Sequence, residues 1–284
     1  MCASWGQRRA AMVSGRFADG KRTEIKMEYS LRVMRIGESM APGPISFYMS
    51  HWDELEYGPH FIWLAQGEGR TILINTGLPQ DPEDLKILNE ACRACHPRNF
   101  FAPGHIWHPQ DVLAEVGISP EDIDVILITT LGTYATGGIE LFPNAEIYMS
   151  RTGWIDFLAP QRQPMFHREV IFTDATMTYL YTKAWNRIHL VGDKEDILPG
   201  VKMFWVGSHH RGSMAVSIET AKGKVVISDS IFRYENFHLG IPIGVIENLF
   251  EFQDALDRIR KEADIVIPTH DNEVLRRYPD GVIA

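Results

Sequence analysis

The feature that most constrains the fold is a series of short β-branched and apolar runs, each bounded by Gly, Pro or Asn. Runs of this kind predict buried β-strands that end in turns. The runs are FIWLA, TILIN, VILIT, EIYMS, VKMFWV, VVISD and DIVIP. Helices are predicted between them, over Pro82 to Cys95, Pro109 to Val116 and Val245 to Glu262, the last with apolar residues at an approximate 3.6 period. This alternation predicts a mixed α/β chain.

The VILIT run continues into TLGTYATGG, ending at Gly137 and Gly138. In the metallo-β-lactamase superfamily a hydrophobic strand ends in T-H-x-H-x-D-H-x-G-G, whose three histidines and one aspartate bind two metal ions. The stretch resembles that loop with its leading Thr129 and its glycine pair retained. The residues at the four ligand positions are Thr130, Gly132, Tyr134 and Ala135. Neither threonine nor glycine offers an imidazole or a carboxylate, so the usual primary site cannot form.

Further segments, in the same order along the chain, resemble the N-acyl homoserine lactonase branch of that superfamily. They are TILINTG, with Asn75 in place of an aspartate, GISPEDID at Gly117, FPNAEIY at Phe142, GSHHRGS at Gly207, VVISD at Val225 and IVIPTH at Ile265. The resemblance extends from about residue 30 to residue 284. It implies a metallo-β-lactamase-like αββα sandwich of two related halves, with the site along one edge.

Three ligand positions of the family are retained, at His209, Asp229 and His270. Two imidazoles and a carboxylate are the minimum set that binds one Zn, Fe or Mn ion with positions left for water. The resemblance therefore implies at most one divalent ion at these residues, and the alternative is none. His210, beside His209, is a further candidate ligand.

The lactonases polarise the substrate carbonyl with a tyrosine three residues after the bridging aspartate. That position is Phe232 here, which has no hydroxyl to donate, and Tyr234 lies close by in sequence. Independent dinuclear lactonase activity is therefore disfavoured. The candidate catalytic residues are Asp229, Tyr134 and His209, and the candidate substrate-binding residues are Thr130, Thr133, Phe232 and Tyr234.

Two functional hypotheses follow. In the first, the protein is a hydrolase for a small apolar or aromatic ester, lactone or ether, using one metal-bound water or a metal-free polar pocket. The 7 Trp, 14 Phe and 9 Tyr favour such an apolar or aromatic ligand. In the second, it is a non-catalytic subunit that stabilises or regulates an intact catalytic paralogue. Either way we expect a homodimer, or a hetero-oligomer with a metallo-β-lactamase-fold paralogue.

Composition narrows the setting. A formal net charge of -9 argues against nucleic acid or an anionic membrane as partner. No apolar run approaches the ~20 residues of a membrane span, and the expected location is the cytoplasm. We expect a single domain over 29–284, a flexible N-terminal arm over 1–28, and a lid or dimerisation insertion over 161–196 that resembles the one in the lactonases.

Other histidines and the cysteines leave alternatives open. The pattern C-R-A-C-H at Cys92 fits one helix with cysteines on adjacent turns, a redox pair or half of a zinc site. His105 and His108 are either loop residues or metal ligands. His51 and His60 are either solvated or in contact with substrate.

Overall fold

The computed structural model describes residues 28–160 and 168–284 and contains two β-sheets. The seven-stranded sheet has the order β4-β1-β2-β3-β5-β6-β7. Its strands are β1 (Ser30–Pro42), β2 (Leu55–Gly67), β3 (Arg70–Ile74), β4 (Phe100–Ile106), β5 (Val125–Leu127), β6 (Glu146–Ser150) and β7 (Ile188–Val191). The five-stranded sheet has the order β12-β11-β10-β9-β8. Its strands are β8 (Lys194–Leu198), β9 (Val201–Trp205), β10 (Met214–Thr220), β11 (Gly223–Ser228) and β12 (Ile265–Ile267).

The helices lie on the outer faces and at the sheet edge. They are α1 (Gly43–Ser46), α2 (Pro82–Cys95), α3 (Pro109–Ala114), α4 (Thr133–Thr136), α5 (Arg151–Leu158), α6 (Arg168–Ile171), α7 (Asp174–Thr182), α8 (Tyr234–Leu239), α9 (Glu251–Glu262) and α10 (Asn272–Arg277), with 3-10 turns at Pro120–Asp122, Ile139–Leu141 and Trp185–Arg187. Helix α2 has the predicted bounds because Asp81 caps it, accepting a hydrogen bond from the Glu83 amide, and Pro82 occupies its first position.

Three apolar cores separate the layers. Side chains alternate along each strand, so Ile72 and Ile74 face the core between the sheets while Leu73 faces the helices on the outside. On the second sheet Ile227 faces inward and Val226 packs against α9. The order helix, sheet, sheet, helix confirms the predicted αββα sandwich.

Two predicted segments differ from the structure. Helix α9 begins at Glu251 and not at Val245, because the amides of Glu247 and Asn248 donate to carbonyls of the 208–209 loop instead of to a helical turn. Most of the predicted 161–196 insertion is described, and its end supplies strand β7 and part of β8 to the two sheets. Its role as a lid or dimerisation element stays a prediction. Residues 1–27 of the predicted arm and residues 161–167 lie outside the described residues.

The ends of the parallel strands β3 and β5 are tied together next to the candidate site. Asn75 adopts the left-handed conformation at φ 58° and is buried. Its side-chain Nδ2 donates to Thr129 Oγ1 over 2.9 Å, and its side-chain Oδ1 accepts from the Thr129 backbone N–H over 2.9 Å. This clamp fixes the start of the loop that carries α4. No helix within the described residues is both long and apolar enough to cross a membrane.

Candidate functional site

Four side chains from four separate segments meet at the edge of the sandwich. We call them the central cluster, which consists of Tyr134, His209, Asp229 and His270. Tyr134 lies on α4, after β5, and His209 lies in the loop after β9. Asp229 directly follows β11, and His270 comes shortly after β12. The ends of strands from both sheets therefore bring together residues that are far apart in sequence.

The cluster is organised around the Asp229 carboxylate. The Tyr134 hydroxyl donates a short hydrogen bond to Asp229 Oδ2 and lies 3.0 Å from His209 Nε2. His209 Nε2 is also 3.4 Å from Asp229 Oδ2, while His270 Nε2 lies 3.2 Å from Asp229 Oδ1. Each carboxylate oxygen thus faces a different imidazole, and the phenol lies between Oδ2 and His209.

Backbone carbonyls orient both imidazoles. His209 Nδ1 donates to Val245 O over 2.5 Å, and His270 Nδ1 donates to Pro59 O over 3.0 Å. Each ring is thereby turned so that Nε2 points into the cluster. Both nitrogens of His270 face oxygen atoms, Nδ1 that of Pro59 and Nε2 that of Asp229.

Electrostatics keep the carboxylate ionised and the phenol neutral. Burial acts to raise the pKa of Asp229, but hydrogen bonds from His209 and His270 outweigh it and hold that pKa well below its usual value. Burial first, and then the Asp229 charge, raises the pKa of Tyr134 well above its ordinary value. Asp229 is therefore an acceptor and Tyr134 a donor over the physiological pH range.

Gly132 and Tyr134 are matched to each other. A Cβ at position 132 would lie 2.7 Å from Tyr134 Cε1, closer than real Cβ contacts. The tyrosine ring therefore occupies the space that the Cβ of any other residue at position 132 would need. A histidine at that position and the observed tyrosine conformation exclude one another.

The donor atoms at the retained ligand positions are paired with one another. One ion would need donor atoms of His209, Asp229 and His270 at about 2.0–2.2 Å from a single point. In the structure these atoms contact one another and the Tyr134 hydroxyl. Across residues 28–160 and 168–284, no group of three or more His, Cys, Asp and Glu is arranged to hold a metal ion. The single ion at His209, Asp229 and His270 stays a prediction.

The cluster lies against a cavity with an empty volume of about 870 Å³, which includes its opening to solvent. Its apolar lining comes from α2, β4, α6 and the 245 loop, and its polar lining includes three members of the cluster. The apolar residues include Leu88, Phe101, Val170, Phe232 and Val245, and the polar ones include Ser39, His60, Tyr134, His209, Arg233 and His270. Such a surface suits a small molecule with one polar group on an apolar body.

His60 is a polar residue of this wall, and the sequence left open whether it is solvated or in contact with substrate. It is buried, its Nε2 lies 3.0 Å from Ser39 Oγ, and its ring contacts His270 with ring centres 4.4 Å apart. Burial, followed by the proximity of His270, lowers the pKa of His60 well below its usual value, so the ring is neutral. Its signal in the sequence was a single histidine at the head of the fully apolar FIWLA run.

Arg233 was not predicted as a site residue. It is only 6% exposed and lines the cavity, with ion pairs to Glu56 and, at 4.0 Å, to Asp271. Its Nε is buried without a hydrogen-bond partner in the described part of the chain. A buried guanidinium with an unused donor is suited to an anionic or carbonyl oxygen.

The structure places the other predicted residues as follows. Of the substrate-binding candidates Phe232 lines the cavity, whereas Thr130, Thr133 and Tyr234 are buried outside its described lining. Asp229 is also outside that lining, although its three cluster partners belong to it. Their roles toward a substrate stay predictions.

The cysteines and remaining histidines are also placed. Cys92 and Cys95 both lie on α2, as the helical interpretation requires, and they are free thiols that line the cavity. Burial raises the pKa of Cys92 to about 12. His105 lies on β4 with Nδ1 2.6 Å from Glu38, and His108 precedes α3. His210 lines the cavity beside His209, with ring centres 4.0 Å apart.

Several known proteins that are similar to this chain in sequence or structure are lactonases. No protein-family profile matches the sequence. N-acyl homoserine lactonases of Bacillus thuringiensis subsp. kurstaki and Bacillus cereus are 25% and 26% identical to the chain over 227 residues, covering 76% of it and 82% of each relative. The structure of an N-acyl homoserine lactone hydrolase with product bound at its catalytic metal centre has a TM-score of 0.71 at 20% identity, covering 89% of this chain and 97% of that one.

A dizinc quorum-quenching lactonase has a TM-score of 0.63 at 16% identity, covering 87% of this chain and 89% of that one. The layers of the structure, the order of the matched segments and these similarities agree with one another. The chain therefore has the metallo-β-lactamase fold, and the proteins that it resembles in sequence and structure are N-acyl homoserine lactonases.

Proposed function

We propose that the protein hydrolyses small esters or lactones with an apolar or aromatic body, in the cavity beside the central cluster and without a resident metal ion. The observation that carries this proposal is the position of the Tyr134 hydroxyl, bonded to Asp229 and 3.0 Å from His209. A phenol there occupies the lone pairs that a metal ion would require, and it leaves Asp229 fully paired.

The cavity supports the choice of substrate. Its wall is largely apolar, which favours an acyl chain or an aromatic ring, and its polar groups include three members of the cluster and Arg233. An ester or lactone carbonyl directed to Arg233 would meet hydrogen-bond donors that stabilise a developing oxyanion. An ether has no carbonyl for these donors to polarise, so the arrangement favours esters and lactones.

The subunit hypothesis is supported by a different surface. Apolar side chains are exposed along one segment beside the cavity, at Tyr48, Met49, Trp52, Leu55 and Tyr57, and within the predicted insertion at Tyr181 and Trp185. Monomers seldom expose contiguous apolar patches. We therefore keep the homodimer or hetero-oligomer as part of the proposal. Light scattering of the purified chain, alone and with a co-expressed paralogue, tests it; a monomer in both samples would refute it.

The catalytic proposal is tested by metal analysis and turnover together. We expect substoichiometric metal by elemental analysis, and hydrolysis of p-nitrophenyl esters of medium acyl chains that is unchanged after treatment with a chelator. Acyl homoserine lactones provide the second substrate series. Hydrolysis that is lost with the chelator and restored by zinc would contradict the metal-free proposal. No turnover of any ester or lactone would contradict the hydrolase itself.

A further inference from the structure

A serine and a histidine outside the central cluster form a hydrogen-bonded pair within the cavity. Ser39 Oγ lies 3.0 Å from His60 Nε2, both residues are only 8% exposed, and both line the cavity. A serine hydroxyl in contact with an imidazole nitrogen is the arrangement that activates an oxygen nucleophile. Neither residue takes part in the hydrogen bonds that hold Asp229.

The sheet holds this pair firmly. Ser39 lies on β1 and His60 on the adjacent antiparallel β2, where Ser39 pairs with Gly58. The imidazole is packed against Phe101 with ring centres 4.7 Å apart, against Tyr134 at 5.6 Å and against His270 at 4.4 Å. Packing by three rings thus orients His60. Its Nδ1 is buried without a hydrogen-bond partner among the described residues, so no carboxylate has the orienting role that it has in a serine triad.

A donor for a developing negative charge lies on the same side of the cavity. An ideal Cβ on Gly58, the strand partner of Ser39, would lie 3.7 Å from Arg233 Nη2 and 4.0 Å from Ser39 O. The absence of a side chain at 58 leaves room between the Ser39 backbone and the guanidinium. An ester carbonyl placed there would lie near Ser39 and the Arg233 donors, all of which line the cavity.

We propose that Ser39 is the nucleophile and His60 its general base in the ester hydrolysis proposed above, on which this assignment rests. Ser39 Oγ gives its proton to His60 Nε2 and forms a bond to the carbonyl carbon. The carbon–oxygen bond to the alcohol breaks, and the alcohol oxygen takes the proton from Nε2. Water then gives a proton to Nε2 and attacks the acyl carbon. Ser39 Oγ leaves and recovers that proton, so that ester and water yield acid and alcohol.

The chain contains its own control for a serine and histidine in contact. Ser50 Oγ lies 2.7 Å from His51 Nδ1, a shorter contact than that of Ser39, but neither residue is part of the cavity lining in the described chain. His51 Nε2 is 3.3 Å from Glu235. If contact alone made a serine reactive, both serines would react; if the cavity is required, only Ser39 would.

The experiment treats the full chain with an alkyl fluorophosphonate, which forms a stable adduct with activated serines. We expect one adduct per chain by intact mass, located at Ser39 by peptide mapping. The adduct should be absent in Ser39→Ala and formed at the wild-type rate in Ser50→Ala. Turnover of p-nitrophenyl esters should fall at least ~100-fold in Ser39→Ala and in His60→Gln. A circular dichroism melt confirms that each variant is folded.

An adduct at Ser50, at Cys92 or Cys95, or at no residue overturns the assignment. Ester turnover that persists in a folded Ser39→Ala variant also overturns it, while the hydrolase function stands. Wild-type chain that hydrolyses no ester or lactone refutes the proposed function instead. The adduct is measured without turnover, so the two failures are distinguishable.

Discussion

The two halves of the sandwich contribute different chemistry to the central cluster. The second half supplies His209, Asp229 and His270, which are residue types that bind metals, and backbone carbonyls orient both imidazoles. The first half supplies only Tyr134, a neutral donor that follows β5. The fold is nevertheless similar to that of the lactonase neighbour. The same fold therefore accommodates different donors on one side of this edge.

The difference shows how a buried carboxylate is satisfied without a metal ion. Asp229 is 1% exposed and would be costly to bury unpaired. The phenol donates to one oxygen and His270 contacts the other, so both oxygens are paired. Hydrogen bonds from the phenol and from both imidazoles thus stabilise the carboxylate.

The largest expected effect comes from restoring the four metal ligands of the T-H-x-H-x-D-H-x-G-G loop in the first half. The variant combines Thr130→His, Gly132→His, Tyr134→Asp and Ala135→His. Removal of the tyrosine ring frees the space at 132 and the lone pairs of His209 and Asp229. We expect the folded variant to bind about two zinc ions per chain, against substoichiometric zinc in the wild type, by elemental analysis after dialysis.

The matched control adds Asp229→Ala to the same variant. Since the carboxylate would bridge the ions, this chain should bind less zinc than its parent. Equal zinc in both would place the metal elsewhere, and no zinc in the restored variant would show that the backbone of the first half has also diverged.

The second prediction removes the centre of the cluster. Asp229→Ala leaves Tyr134, His209 and His270 without their common acceptor, and removing one partner of a buried ion pair costs about 3–5 kcal/mol. We expect that loss in the free energy of unfolding, measured by urea titration at neutral pH. A loss below about 1 kcal/mol would mean that water reaches the cluster.

The pH dependence of stability tests the same carboxyl group, that of Asp229. The native pKa of Asp229 is depressed, so its contribution to stability is complete above the ordinary carboxyl pKa of about 3.9 and is lost as the pH falls through the native pKa. The difference in stability between wild type and Asp229→Ala should therefore shrink below that pH. A difference that is constant down to the acid transition would contradict the depressed pKa.

The third prediction isolates the phenol. Tyr134→Phe keeps the ring and removes the donor, leaving Asp229 Oδ2 and His209 Nε2 each with one partner fewer. We expect a loss of about 1–3 kcal/mol in unfolding free energy. Tyr48→Phe is the control, because Tyr48 is 41% exposed and should change stability little. Equal effects of the two substitutions would show that the hydroxyl of Tyr134 is not bonded in solution.

The predicted strands were correct where their apolar runs were continuous. Strand β1 was missed because arginines at 32 and 35 interrupt its apolar residues, so the sequence shows no apolar run. Its buried residues face both sides of the sheet, so no period of two marks the strand either. The first six residues of the predicted 245–262 helix were wrong for another reason, since long-range hydrogen bonds to the 208–209 loop cannot be derived from local periodicity.

The candidate site was predictable where a residue lies in a segment that resembles the lactonases, because its position in that segment places it at the edge of the sandwich. His209, Asp229 and His270 meet as expected, and Tyr134 joins them. The contact between Ser39 and His60 was not predicted, because it depends on the register of β1 against β2. Arg233 was missed since a charged residue at the start of a helix is ordinarily exposed, and only the packed structure shows that it is buried.

The smallest expected effect tests whether Gly132 and Tyr134 are coupled. A Cβ at 132 would lie 2.7 Å from Tyr134 Cε1, so Gly132→Ala must displace the ring and weaken its bond to Asp229. In a Tyr134→Ala background that contact is absent, and the same substitution should cost less. We expect a coupling free energy of about 1 kcal/mol from a double-mutant cycle on unfolding. Gly192→Ala, where an added Cβ meets nothing within 4 Å, is the uncoupled control. Additive effects at 132 and 134 would mean that the ring does not lie over Gly132 in solution, and the first half of the site would then have room for a side chain there even with the tyrosine in place.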